Sequence, residues 1–162
     1  MAATDFFLVL DGIKGESADD KMKSKDAIDI ESFSWGISNA GSFSSIGGGG
    51  SGKSSFSDLS FMKNVDKSSP ALAQHCATGK HIKKATLHVR KAGGGQKEYY
   101  TVTLEDILVS SFQASASNGS PVIMDSFSLN YAKIEWKYMV QDAKGAMTAG
   151  GDFKYDVKAS KA

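Results

Sequence analysis

The chain is 162 residues long and weighs 17.2 kDa, enough for one domain and too little for two. Its 41% hydrophobic and 23% charged residues lie near globular averages and exclude wholesale disorder. Nineteen basic against eighteen acidic side chains leave a net charge of +1. That balance lacks the positive footprint a nucleic-acid or anionic-membrane binder needs.

The longest apolar run, Phe6-Phe7-Leu8-Val9-Leu10, falls far short of the roughly 20 residues that span a bilayer. Asp5 rather than a basic residue precedes it, so it does not read as a secretory signal. Cys76 is the only cysteine, which leaves no internal disulfide and points to synthesis in a reducing compartment.

Alternation of apolar and polar residues dominates the chain. Phe6, Leu8 and Leu10 share one face of a short strand that ends at Asp11-Gly12. A longer strand is expected over 27–38, where the apolar parity switches from Ile28 and Ile30 to Phe33 and Trp35. An inserted residue near Ser32 keeps all four on one side, as a β-bulge does. Phe56 to Met62, Ala85/Leu87/Val89 and Tyr100/Val102/Leu104 through Phe112 read as further strands. Phe127, Leu129 and Tyr131 hand over to Ile134, Trp136 and Tyr138, implying a second bulge near Ala132-Lys133. A last strand, Phe153/Tyr155/Val157, follows Gly150-Gly151.

Turn signals at Gly93-Gly94-Gly95, Asn118-Gly119-Ser120-Pro121 and Lys144-Gly145 separate these segments. The expected fold is mainly β, an antiparallel β-barrel formed by the single domain 1–162. One short flanking α-helix is expected at about residues 69–78. Ser69 caps it, Pro70 suits its first turn and Gly79 ends it. Leu72, His75 and Cys76 share one face of that helix.

Residues 47–54, Gly-Gly-Gly-Gly-Ser-Gly-Lys-Ser, satisfy the spacing of a phosphate-binding loop. Such a loop needs a helix at its end to aim backbone donors at phosphate. Here Ser55-Phe56-Ser57-Asp58-Leu59-Ser60-Phe61 follows, a strand pattern, so nucleotide binding is rejected. The stretch from Ala40 to Ser55 reads instead as a long protruding Gly/Ser-rich loop. Its only apolar side chains, Phe43 and Ile46, are then available to another molecule.

Other chemistry fails on spacing. His75, His81, His88 and Cys76 match no zinc pattern. Cys76 lies on a core-facing stripe, where thiols are inert. Glu105 and Asp106 are adjacent on a strand and cannot converge as an acid–base pair. No cofactor, metal or catalytic set is expected. Unpaired sheet edges invite pairing between chains, and a head-to-tail contact closes into a ring. A monomeric barrel that binds a small ligand or glycan through Trp35, Trp136 and Tyr138 is the alternative.

A series of segments carries a resemblance over essentially the whole chain. They are Gly12-Ile13-Lys14-Gly15-Glu16-Ser17, Phe33-Ser34-Trp35-Gly36, Asp58-Leu59-Ser60-Phe61 and Asp66-Lys67-Ser68-Ser69-Pro70. Gly79-Lys80-His81, Arg90-Lys91-Ala92-Gly93-Gly94, Leu108-Val109-Ser110-Ser111 and Leu129-Asn130-Tyr131-Ala132 continue it. In this order they resemble the Hcp (haemolysin-coregulated) proteins of type VI secretion systems.

The resemblance implies a homo-hexameric ring with a wide channel, stacked into a tube that a contractile sheath expels behind a spike protein. Small effector proteins would ride in the channel, with Ser34 at a channel-facing, cargo-binding position. Phe43, Ser44, Ser45, Ile46, Gly47, Gly48, Gly49, Gly50, Ser51, Gly52 and Lys53 would form the loop that reaches neighbouring subunits and the next ring. The implied protein is not an enzyme. It starts in the cytoplasm and is secreted without a cleaved signal peptide, membrane insertion or nucleic-acid binding.

Overall fold

The computed structural model describes residues 4–41, 53–91 and 95–162. In chain order they form β1 (Thr4–Leu10), a single 3-10 turn (Lys23–Lys25), β2 (Ile28–Ile30), β3 (Ser32–Ser34), β4 (Ile37–Asn39) and β5 (Ser54–Phe56). There follow β6 (Leu59–Asn64), α1 (Ser69–Thr78), β7 (Ile82–Lys91), β8 (Glu98–Ser115), β9 (Met124–Gln141) and β10 (Met147–Asp156). The fold is mainly β with one α-helix, as the alternation requires.

Eight strands form one antiparallel sheet in the order β2-β1-β7-β8-β9-β6-β3, with β10 added to β9, and β4 and β5 pair separately. The expected barrel is therefore not closed, because β2 and β3 are two ends of the ladder. Those ends are consecutive in the chain, and Glu31 between them donates its N–H to the Met62 carbonyl at 2.8 Å. The parity switch expected near Ser32 falls at this residue. Ile28 and Ile30 stay buried, and Phe33 and Trp35 pack against the same core.

The second expected bulge needs correction. Apolar parity does switch at Ala132-Lys133, but β8 and β9 keep their register from Leu104↔Ile134 to Leu108↔Asn130. No residue is inserted there. β8 also changes sides, with Val102 and Leu104 buried before the switch and Ile107 and Val109 after it. Asp106 sits between them at φ +53°, a left-handed conformation that turns the strand over. The actual register shift lies between Val109 and Ser111. The segment expected as one strand from Phe56 to Met62 is two, β5 and β6, and the last strand begins at Met147, ahead of the glycine pair.

α1 matches its expected span and ends at Gly79, whose φ of +69° places its N–H on the His75 carbonyl. The cap differs: Ser68 holds that position and makes no side-chain cap bond. Ser69 is instead drawn inward by a buried charge cluster described below. Leu8, Leu59, Leu72, Leu87, Leu104 and Leu129 lie at the centre of the core, each about fully covered. Phe7, Met22 and Ala27 form a second small cluster on the other face of β1.

Candidate functional surface

Strict alternation on β3, β6, β9 and β8 builds a two-faced sheet. Inward, the register places Phe33, Phe61, Phe127 and Phe112 in one row across four strands. Phe61 and Phe127 stack with ring centroids 5.1 Å apart, and Phe33 meets Phe6 edge-on at 5.2 Å. Outward, one row reads Ser34, Ser60, Ser128, Ser111, and the next Ser32, Met62, Ser126, Gln113. Cross-strand neighbours of this kind sit close enough to act as a single surface.

No charged side chain occurs in either outward row. The nearest carboxylate, Asp58, accepts a bond from Ser110 Oγ at 2.6 Å and another from Asn130 Nδ2 at 2.9 Å. Ser128 in turn bonds Ser110 at 2.7 Å and also Ser111. Hydroxyls thus satisfy each other and occupy both oxygens of the one local charge. Beside them Tyr131 donates to the Ser57 carbonyl at 2.9 Å, and burial pushes its phenol up to about 12.

Ser34, singled out from the sequence, lies exposed at the end of the first outward row, paired with Ser60. Of the loop residues, Lys53 is exposed immediately before β5. Residues 43–52 (Phe43, Ser44, Ser45, Ile46, Gly47, Gly48, Gly49, Gly50, Ser51, Gly52) lie outside the described residues. Ser54 opens a strand rather than a helix, so the helix terminus that a phosphate loop requires is missing at that point.

The other weighed residues are engaged locally. Trp35 and Trp136 meet edge-on at 5.6 Å, and Trp35 Nε1 donates to the Tyr100 hydroxyl at 3.0 Å. His75 Nδ1 bonds the Ala71 carbonyl at 2.8 Å within α1. His88 pairs with Glu98 at 2.7 Å and His81 with Asp106 at 2.9 Å. The His81 bond holds the Asp106 carboxyl below its usual range. Glu105 faces Lys133 instead, at 4.0 Å, so the two adjacent carboxylates do not converge.

Sequence reading missed the buried charges. Lys63 is fully buried, and its Nζ reaches Asp125 Oδ2 at 2.7 Å, Ser69 Oγ at 2.8 Å and Asp66 Oδ1 at 2.9 Å. Ser69 also donates to Asp125 and accepts the Asp66 N–H at 3.0 Å, which ties the start of α1 to β6 and β9. Asp66 Oδ1 further accepts the Ser68 N–H at 2.8 Å. Period-two counting exposes the signal: Lys63 has the parity of Leu59 and Phe61, and Asp125 that of Phe127 and Leu129.

Arg90 is the second missed charge. It is 3% exposed, donates through Nη1 to Asp19 Oδ1 at 3.1 Å and lies 4.5 Å from the Phe7 ring centroid. This pins the segment between β1 and β2 against the sheet.

Known proteins share both the sequence and the fold. The family described as "Type VI secretion system effector, Hcp" matches residues 7–138. Protein hcp1 of Pseudomonas aeruginosa is 43% identical over 154 residues, covering 94% of this chain and 93% of the relative. The crystal structure of Hcp1 from Salmonella typhimurium superposes with a TM-score of 0.77 at 34% identity, covering 99% of each chain. Another solved structure, described as a type six secretion system protein, gives a TM-score of 0.87 at 29% identity over 98% of this chain and 99% of the other. The chain belongs to the Hcp family of type VI secretion tube and effector proteins.

Proposed function

We propose that this chain, acting as one domain over 1–162, is the structural subunit of a type VI secretion inner tube. Six copies form a ring, rings stack, and the tube is expelled by a contractile sheath behind a spike protein. Effector proteins travel in the channel against the face that carries Ser34. Phe43 to Lys53 make the contacts to neighbouring subunits and the next ring. The chain works without catalysis or cofactor. It starts in the cytoplasm and leaves the cell inside the secretion machine, without a cleaved signal.

One observation carries this reading beyond family membership: the uncharged serine face ends in two open sheet edges. β3 pairs only with β6, and Leu108 to Ser115 of β8 pair only with β9, among the described residues. Open edges are costly in a solitary protein and useful in one that joins its own copies. Placing one such edge beside the other in a neighbouring copy generates a head-to-tail contact, which closes when the rotation allows. The hydroxyl-rich face would then line the enclosed space. Among the described residues no helix is long and apolar enough to cross a membrane.

The test is native mass measurement with negative-stain imaging of the purified protein. A hexamer with an open centre supports the reading, and a monomer at every concentration overturns it. Cargo binding is tested by placing a glutamate at Ser34. Loss of effector co-purification with the ring intact supports the channel assignment, and unchanged co-purification contradicts it.

A further inference from the structure

Among the described residues seven large hydrophobic side chains are exposed: Ile37, Met62, Val65, Val122, Ile123, Tyr138 and Val140. Five of them gather at the two ends of one strand. Val65 and Ile123 are joined by a backbone bond of 2.8 Å from the Val65 N–H to the Ile123 carbonyl, with Val122 adjacent, just before β9 starts. Tyr138 and Val140 share a face near its far end, 43% and 41% exposed. Roughly 50 Å of strand contour separates the two groups.

The far patch is shaped by a glycine. A Cβ built on Gly150 would come within 2.7 Å of Tyr138 Cδ1 and 2.8 Å of Val140 Cγ2. The β10 backbone therefore lies directly against both side chains at the bulge between Ala149 and Gly151. This packing holds the two side chains in place, while each keeps an exposed surface.

We infer that the Val65/Val122/Ile123 patch of one copy seats on the Tyr138/Val140 patch of a second copy in the adjacent ring. The inference rests on the tube reading above and assigns its axial contact. Sheet edges face sideways and serve contacts around a ring, whereas strand ends face along the strand and serve contacts between rings. Patches at opposite ends of one strand cannot be self-complementary, so their union is head-to-tail and propagates without limit. Two or three half-exposed side chains fall well below the roughly 1,000 Å² of a stable solitary contact. A ring presents six such contacts together, so weak units add to a firm but separable joint.

Cysteine cross-linking tests the assignment, because it traps even transient stacking. In a Cys76→Ser background the probe is the protein itself, carrying Ile123→Cys, Val140→Cys or both, under mild oxidation. The doubly substituted chain is expected to give a cross-linked ladder, and a mixture of the two singles to give dimers between unlike chains. Each single alone should give none. The native cross-linked species should sediment as more than one ring.

Dimers from Ile123→Cys alone would show patch meeting its own kind and overturn the inference. Cross-links confined to single-ring mass would move the contact into the ring and overturn its axial placement. Absence of cross-links in intact rings also rejects it. A wild-type protein that never forms rings is read separately by sedimentation and overturns the tube reading itself.

Discussion

Lys63 and Asp125 are direct cross-strand partners on β6 and β9, 2.7 Å apart with 0% and 1% of their side chains exposed. An ion pair so deep depends on both members, because removing one strands a charge in a medium that solvates it poorly. Asp66 and Ser69 complete the cluster, so the pair also fixes where α1 begins.

Replacing Lys63 by methionine is expected to lower stability by about 3–5 kcal/mol, through the uncompensated Asp125 carboxylate. Adding Asp125→Leu to that variant should recover most of the loss, since two apolar partners strand nothing. Urea unfolding of both variants checks this. A single variant as stable as the wild type would show that the pair is not coupled.

Acid stability follows from Asp19. The bond from the Arg90 guanidinium holds its carboxyl below the usual range, so the folded protein binds that proton less tightly than the unfolded chain. The stabilisation is full above the ordinary carboxylate pKa of about 4 and disappears as pH falls through the lower folded value. Asp19→Asn should therefore flatten the fall of Tm on the acid side below pH about 4. An unchanged acid limb would contradict it.

Gly15 is buried, and a Cβ there would fall on the Ala27 carbonyl and close to Ile28 Cγ1. Its own N–H bonds the Asp26 carbonyl at 2.8 Å, and the Ser17 N–H bonds the Ala27 carbonyl at 3.1 Å. The backbone on both sides is thus fixed. Gly15→Ala should cost more than about 3 kcal/mol, measured by thermal unfolding, while Gly12→Ala meets nothing within 4 Å and bears only the strain of its φ of +82°. Equal Tm values for the two variants would argue against the clash.

The strands were legible because period two is written plainly at Leu8/Leu10, Leu87/Val89 and Phe127/Leu129. The parity switch at Glu31 was readable for the same reason. The switch at Ala132 was visible on one strand only, because the compensating turn at Asp106 depends on a backbone angle that sequence alone does not show. The serine face was hidden because register sets which serines meet: Ser34, Ser60, Ser128 and Ser111 come from four separated segments. Lys63 and Asp125 were hidden by the general rule that charges face water, although their parity marked them as inward. Phe7 packs in its own small cluster because both faces of β1 are covered, which alternation alone does not convey.

Deleting residues 43–53 should leave ring formation intact and abolish stacking, since the in-ring contacts are assigned to the sheet edges. Sedimentation velocity with imaging reads both levels. Finding only monomers would show that the loop holds the ring itself together.

The central claim is that six copies surround an open channel lined by the serine face. Native mass spectrometry of the purified protein measures this most directly. The expected species is six times the 17.2 kDa chain mass, and a single-chain mass at every concentration would contradict the account.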